Sequence, residues 1–240
     1  MKKLITYITV TLNAEKYVEQ CIKSVVSQKN QYVEYIILDG KSTDRTYSII
    51  KNYRKSIDIF FSQRDNGMYH AMNNAINLAK GKYLCFINSD DWLEKNSTNY
   101  VLKYIKLFKK VDIFYGDQKI FDKDKYLYTD ITNHHQLSRY MSIAHQSAYI
   151  NKTLFNNKKY STLIKLSSDY DFFLYYYKKG SVFKKIPKIL SSFRINGKSS
   201  NTYVMKNEFL KIQLKYNGLF FGYINFFFRY FKYYLKKIIK

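Results

Sequence analysis

The stretch LITYITVTLNAEKYVEQCIKSVV, residues 4–26, holds two periodicities in succession. Leu4 to Thr11 is apolar and β-branched, the composition of a buried strand. Tyr17, Cys21 and Val25, with Val18, Ile22 and Val26 beside them, then recur every fourth residue, the spacing of a packed helix face. Asn13 stands between the two as a candidate N-cap. The same alternation repeats downstream. Val33 to Leu38 reads as a second strand ended by Asp39 and Gly40, and Ser42 or Thr43 is placed to cap a helix bearing Ile49, Ile50 and Tyr53. Ile57 to Phe61 reads as a third strand, Met68, Met72, Ala75, Ile76 and Ala79 as a helical stripe, and Tyr83 to Ile87 as a fourth strand. Strands alternating with helices at this length imply right-handed crossovers and a mostly parallel sheet.

Ligands of open α/β sheets bind beyond the carboxyl ends of the strands. Here those ends carry Asn13, Asp39-Gly40, Arg64-Asp65 and Asn88-Ser89-Asp90-Asp91, so polar and acidic residues gather at one edge. No Gly-x-Gly-x-x-Gly and no Gly-x-x-x-x-Gly-Lys-Ser/Thr occurs, which argues against dinucleotide dehydrogenases and Walker-type nucleotide binding. Asp90 and Asp91 offer another way to neutralise phosphate. Paired carboxylates at a strand end suit Mg²⁺ or Mn²⁺, ions that take one or two carboxylates and complete their shell with water and substrate phosphates. The competing structural role is a turn in which either aspartate caps the next helix.

Past Asp91 the alternation loosens. Val111 to Tyr115 and Lys119 to Tyr128 read as strands separated by Gly116-Asp117, Asp169 to Tyr177 as a helix, and Phe183 to Ile195 as extended chain around Pro187. No low-complexity linker or internal repeat interrupts this, so residues 1–215 are expected to form one domain. Its expected halves are 1–95, where the alternation is regular, and 96–215, where it loosens. Residues 216–240 differ: LFFGYINFFFRYFKYYLKKIIK, 219–240, is aromatic and basic with no acidic residue. A helix lying among lipid headgroups, its Lys and Arg snorkelling to phosphates, fits this composition, against a helix docked on the main domain.

The 240 residues carry 41 Lys+Arg against 18 Asp+Glu, a formal charge of +23 that directs the surface toward polyanions. One Pro and eight Gly exclude collagen-like and Pro/Gly-rich disordered classes. Two cysteines, Cys21 and Cys85, make neither a disulfide scaffold nor a zinc site by themselves and read as buried small hydrophobes. The N-terminus lacks the long apolar run of a secretory signal, and no run of 18 apolar residues predicts a spanning helix. The expected location is cytoplasmic or cytosol-facing.

The segments Ile8-Thr9-Val10-Thr11-Leu12-Asn13, Asp39-Gly40-Lys41-Ser42-Thr43-Asp44, Asp65-Asn66-Gly67-Met68-Tyr69, Ala71-Met72-Asn73 and Ala79-Lys80-Gly81-Lys82-Tyr83, leading into Asn88-Ser89-Asp90-Asp91, closely resemble family 2 glycosyltransferases. The likeness is greatest to bacterial members that build surface polysaccharides. It covers residues 4–95 strongly and continues more loosely through Ala144-His145-Gln146-Ser147 and Ser167-Ser168-Asp169-Tyr170-Asp171. It implies a GT-A fold, an α/β, Rossmann-like nucleotide-diphospho-sugar transferase with a mixed, mostly parallel sheet flanked by helices, here with a C-terminal amphipathic helical tail. It also implies inverting transfer from a UDP- or dTDP-sugar to a hydroxyl of a lipid-linked glycan, assisted by Mn²⁺ or Mg²⁺, with residues 1–95 binding the nucleotide sugar and 96–215 facing the acceptor.

By that resemblance Thr11, Asn13, Asp39, Arg64, Asp65 and Asp90 bind the donor, Asp39 accepting from the base's imide N–H. Asp90 and Asp91 match the metal and ribose carboxylates, with Asn88 standing where relatives commonly have Asp. Asp169 matches the catalytic base, preceded by Ser168 where relatives have Glu. The rival carboxylate is Asp171, two residues on. His145, Gln146, Arg194 and Ser199 are acceptor-side or loop candidates, the last two in a flexible-looking segment with Gly197. His134 and His135 with His145 do not make a zinc spacing, since neighbouring histidines are expected to point apart. The implied partners are a nucleoside diphosphate sugar, a polyprenyl-linked glycan and an anionic membrane face, with the protein peripheral on the inner face of the cytoplasmic membrane. Two other classes compete. A nucleic-acid module would use the charge and stacking aromatics, but the aromatics fall at core-like positions and no nucleic acid is expected. A nucleotidyltransferase would also use paired carboxylates and would release pyrophosphate.

Overall fold

A computed structural model describes residues 2–195 and 202–238, with side chains through residue 231 except that of Thr202. One mixed sheet forms the centre, ordered β3-β2-β1-β4-β8-β6-β9-β5 with β7 paired to β6. Its first half is parallel: β1 (Ile5–Thr11), β2 (Val33–Asp39), β3 (Ile59–Ser62) and β4 (Tyr83–Phe86). β8 (Ala148–Asn151) runs antiparallel between β4 and β6 (Ile113–Asp122). β9 (Phe183–Ile195) is parallel to β6, and β5 (Trp92–Leu93) antiparallel to β9. β7 (Lys125–Asp130) closes a hairpin with β6.

Strand alternation splits the core in two. Ile5, Tyr7, Val33, Tyr35, Ile37, Tyr83 and Cys85 face the helices α1 (Val18–Val26), α2 (Thr46–Asn52) and α4 (Ser97–Leu107). Ile8, Ile36, Leu38, Leu84 and Phe86 face α3 (Met68–Leu78), α5 (Ser168–Lys178) and α6 (Thr202–Ile238). Both faces of the parallel strands are thus covered, which is why those strands read as continuous apolar runs. Many tyrosines are core residues whose hydroxyls find partners, as Tyr7 does at Thr98 (2.9 Å) and Tyr149 (3.0 Å). Both cysteines are buried, and burial pushes the Cys21 thiol up to about 12. No helix among the described residues is long and apolar enough to cross a membrane.

Three expectations are corrected. Asn13 does not cap α1, which begins at Val18; it takes a left-handed φ of 50° and its Oδ1 accepts from the backbone N–H of Thr43 (2.8 Å). Ser42 and Thr43 do not cap α2; that helix begins at Thr46, whose N–H is taken by Asp44 Oδ1 (2.9 Å). Gly116-Asp117 is not a break between strands, because β6 runs straight through it. A Cβ at Gly116 would lie 2.5 Å from Leu190 Cγ, so the glycine makes room for β9 where the register slips and Pro187 sits in the irregular stretch.

The tail is one helix in outline, bent at Gly218, where φ is 73°. Beyond the bend the chain folds back: Phe226 and Tyr230 pack on Phe209, and Asn225 Nδ2 donates to Gln213 Oε1 (2.8 Å). One face of the tail therefore docks and the other stays exposed.

Candidate active site

The carboxyl ends of β1, β2 and β4 bring the expected donor residues to one edge. Asp39, 2% exposed at the end of β2, accepts from Ser62 Oγ (2.6 Å) and from both the N–H and hydroxyl of Ser42. Ser42 Oγ in turn accepts from the Asn13 N–H (2.9 Å), so Asn13 and Asp39 belong to one polar lattice. Thr11 lies beneath it, with a buried hydroxyl that has no partner among the described residues. Asp65 approaches Gly40 so closely that a Cβ there would sit 2.9 Å from Asp65 Oδ2, while Asp65 Oδ1 accepts from the Gly67 N–H (2.9 Å). Arg64 is exposed beside it.

The acidic turn after β4 divides into an outer and an inner carboxylate. Asp90 is partly exposed, whereas Asp91 is fully buried, its Oδ2 accepting from Gln146 Nε2 (2.9 Å) and its Oδ1 from the Arg194 N–H (3.0 Å). Burial, and then the charge of Asp90, push the Asp91 carboxyl up to about 7. Two adjacent carboxylates, one of them buried and raised by the charge of the other, are a hard-oxygen donor set that suits a divalent cation, and with only two carboxylates the rest of the shell falls to water and diphosphate oxygens. Among the described residues no larger cluster of His, Cys, Asp and Glu exists that would hold a metal alone.

The raised pKa has a measurable consequence. Because the folded chain holds this proton more tightly than the unfolded one, the associated stability is complete below pH about 4 and is lost as pH rises through about 7. Metal-free protein should melt at lower temperature at pH 8 than at pH 6, by an amount that Asp91→Asn reduces; thermal melts of the two proteins across this range check it.

Arg194 is not a loop residue. It lies near the end of β9, 4% exposed, and Nε donates to Lys123 O (2.8 Å), Nη1 to Asp90 O (2.7 Å), and Nη2 to Gln20 Oε1 (2.6 Å) and Asp124 Oδ1 (3.1 Å). Its guanidinium stacks between the rings of Tyr17 (4.1 Å) and Trp92 (4.6 Å). With so many donors engaged it holds the acidic turn in place instead of reaching for a ligand. Ser199 lies outside the described residues.

Asp169 opens α5 and is held from two sides. His145 Nδ1–H donates to its Oδ2 (2.9 Å) and the Tyr69 hydroxyl to its Oδ1 (3.2 Å), while the Tyr170 N–H also donates to Oδ1 (2.9 Å). Tyr69 sits in the first turn of α3; burial and then the charge of Asp169 raise its hydroxyl well above the ordinary value, so it remains a donor. His145 Nε2 is buried and has no partner among the described residues. Sequence reasoning missed Tyr69. It lay inside a quoted motif, but a tyrosine in a chain with 26 of them carries no signal by itself.

Consecutive side chains of one short turn, His145–Ser147, therefore join the two acidic centres: His145 reaches Asp169 and Gln146 reaches Asp91. Asp171 does not compete. It is 1% exposed and pairs with Lys158 (2.5 Å) and Lys215 (2.8 Å). Burial would raise its pKa, but the hydrogen bonds and charges of the two lysines overcome this and hold it below the usual value. His134 and His135 do not point apart as expected; their rings lie 3.9 Å apart on one turn. His134 Nδ1 is nonetheless taken by the Tyr115 hydroxyl (2.7 Å), and burial lowers its pKa to about 4.

The profile of the glycosyl transferase family 2 domain matches residues 6–173. The chain belongs to that family. It is 28% identical over 217 residues to a PGL/p-HBAD biosynthesis glycosyltransferase of Mycobacterium bovis, covering 84% of this chain and 80% of that protein. It is 34% identical over 107 residues to the putative teichuronic acid biosynthesis glycosyltransferase TuaG of Bacillus subtilis, a match that spans 43% of this chain and 42% of TuaG. Among solved structures, residues 1–349 of S. aureus TarS in complex with UDP-GlcNAc superpose with a TM-score of 0.72 at 19% identity, over 87% of this chain and 64% of that one. The mannosyltransferase PcManGT of Pyrobaculum calidifontis, in complex with GDP-Man and Mn²⁺, superposes at 0.68 with 12% identity, over 90% and 64%. The fold is the GT-A fold expected from the sequence. The family 2 chain spans less than two thirds of the TarS and PcManGT chains it resembles.

Proposed function

We propose that this family 2 enzyme transfers a sugar with inversion from a uridine or thymidine diphosphate sugar to a hydroxyl of a lipid-linked glycan during surface polysaccharide synthesis. The observation that carries the proposal is the His145–Ser147 turn, which ties a held carboxylate, Asp169, to the acidic pair at the end of β4. The relatives support the substrate class: TuaG is named for teichuronic acid biosynthesis, and a TarS structure holds UDP-GlcNAc.

In the reaction Asp39 accepts the imide N–H of the pyrimidine, for which the hydroxyls of Ser42 and Ser62 already orient its carboxylate. Asp90 and, through the inner hydrogen bonds, Asp91 would hold Mn²⁺ or Mg²⁺, which supplies positive charge to the leaving diphosphate. Asp169 takes the proton of the acceptor hydroxyl as that oxygen attacks the anomeric carbon from the face opposite the leaving group. Tyr69 and His145 fix both carboxylate oxygens, so the base meets its substrate with little reorganisation. The protein works at the inner face of the cytoplasmic membrane, where a polyprenyl-linked acceptor is presented.

Thermal melting against a panel of nucleoside diphosphates with Mn²⁺ tests the donor half. Uridine diphosphate at about 100 times its Kd should stabilise the fold by about 2.7 kcal/mol. An equal shift with guanosine diphosphate, or none without an added sugar, would count against the pyrimidine assignment.

A further inference from the structure

The far half of α6 carries a surface that sugar transfer does not use. Past the bend at Gly218, Phe220, Phe221, Tyr223, Phe227 and Phe228 are 54% to 72% exposed. Under one edge of this ridge, against the 136–140 turn, lies a cavity of about 1080 Å³ whose wall brings Arg139, Lys178 and Arg229 together with Phe221, Ile224 and Phe228. Among the described residues no carboxylate lines it, and none of the three cations forms an ion pair. Arg229 instead lies over the Phe209 ring, 4.6 Å from its centre.

Cations without counter-charge beside exposed rings suit a ligand that is anionic at one end and hydrocarbon at the other. Free phosphate would answer the charge and leave the ridge in water, whereas a bilayer interface answers both: rings sink to the acyl boundary while Arg and Lys reach up to headgroup phosphates. The charge pattern agrees, since residues 219–240 carry Arg229, Lys232, Lys236, Lys237 and Lys240 and no acid. We infer that the Arg139–Lys178–Arg229 cavity seats the phosphate of an anionic membrane lipid while the phenylalanine ridge lies in the bilayer interface.

The seat is fastened to the base. Asn217 and Asn225 both donate to Ser138 O (2.9 and 3.0 Å), and the hydroxyl of Tyr170, next to Asp169, donates to Leu137 O (2.8 Å). A membrane held at this cavity therefore lies against the segment fastened to Tyr170, the residue after Asp169. The inference rests on and deepens the acceptor half of the proposed function.

Sedimentation with phosphatidylcholine vesicles, with and without phosphatidylglycerol, tests it on the full chain without any sugar donor. The protein should sediment with the phosphatidylglycerol vesicles and not with phosphatidylcholine alone. Arg139→Gln with Lys178→Gln should weaken binding about thirtyfold, and Phe227→Ser with Phe228→Ser should abolish it. Phe220→Ser, 72% exposed, gives a second reading of the ridge should the double variant melt early. Millimolar inorganic phosphate should leave binding unchanged. Wild-type affinity in the charge variant, equal binding to uncharged vesicles, or displacement by inorganic phosphate would overturn the proposal. Because uridine diphosphate binding is read separately by melting, loss of either result leaves the other standing.

Discussion

Asp169→Asn should lower kcat by about three orders of magnitude, within the range a positioned general base contributes, and change the Kd for uridine diphosphate less than twofold. The substitution keeps the size of the side chain and at most one of the hydrogen bonds from Tyr69 and His145, so the loss falls on proton removal. Asp171→Asn is the informative comparison. It leaves Lys158 and Lys215 facing a neutral buried group, so it should lower the melting temperature while the folded fraction keeps kcat within a few fold. Steady-state kinetics and melts of both variants decide the matter: an active Asp169→Asn enzyme removes that residue as base.

The second large effect is expected at Asp90. Its backbone carbonyl is held by Arg194 Nη1 whatever its side chain is, so Asp90→Asn should leave the turn in place. Mn²⁺-dependent affinity for uridine diphosphate should fall about a hundredfold, as loss of one of two carboxylate ligands to a hard cation implies. The metal-free variant should meanwhile melt higher than wild type at pH 8, because Asp91 then loses its charged neighbour. Calorimetric titration with and without Mn²⁺ measures the first and thermal melts the second; unchanged Mn²⁺ dependence would move the cation away from this turn.

Where the sequence was legible, a local pattern matched a local cause. The parallel strands and α3 were readable because burial on both faces makes continuous apolar runs and a helix makes a stripe. The placement of Asp39, Asp65 and Asp90 at one sheet edge followed from topology alone. What escaped was decided at long range. Gly116 looks like a turn residue until Leu190 is seen to need its space. Asn13 looks like a helix cap until Thr43, thirty residues away, takes its side-chain oxygen. Arg194 looked mobile because its neighbours in sequence are polar, whereas its partners Gln20, Asp90 and Asp124 are distant in the chain. The separate fates of Asp169 and Asp171 likewise depended on lysines from two other segments.

That wiring of Arg194 orders events at the ribosome. Residues 20, 90, 123 and 124 emerge well before the arginine that binds them together. A nascent chain stopped short of β9 can lay down the parallel strands, whose pairings are made among its own first hundred residues, yet it has only Gln146 on Asp91 and lacks the arginine that pins both residues of the acidic turn. The settled acidic turn is thus a late acquisition, gained when β9 returns to the beginning of the chain.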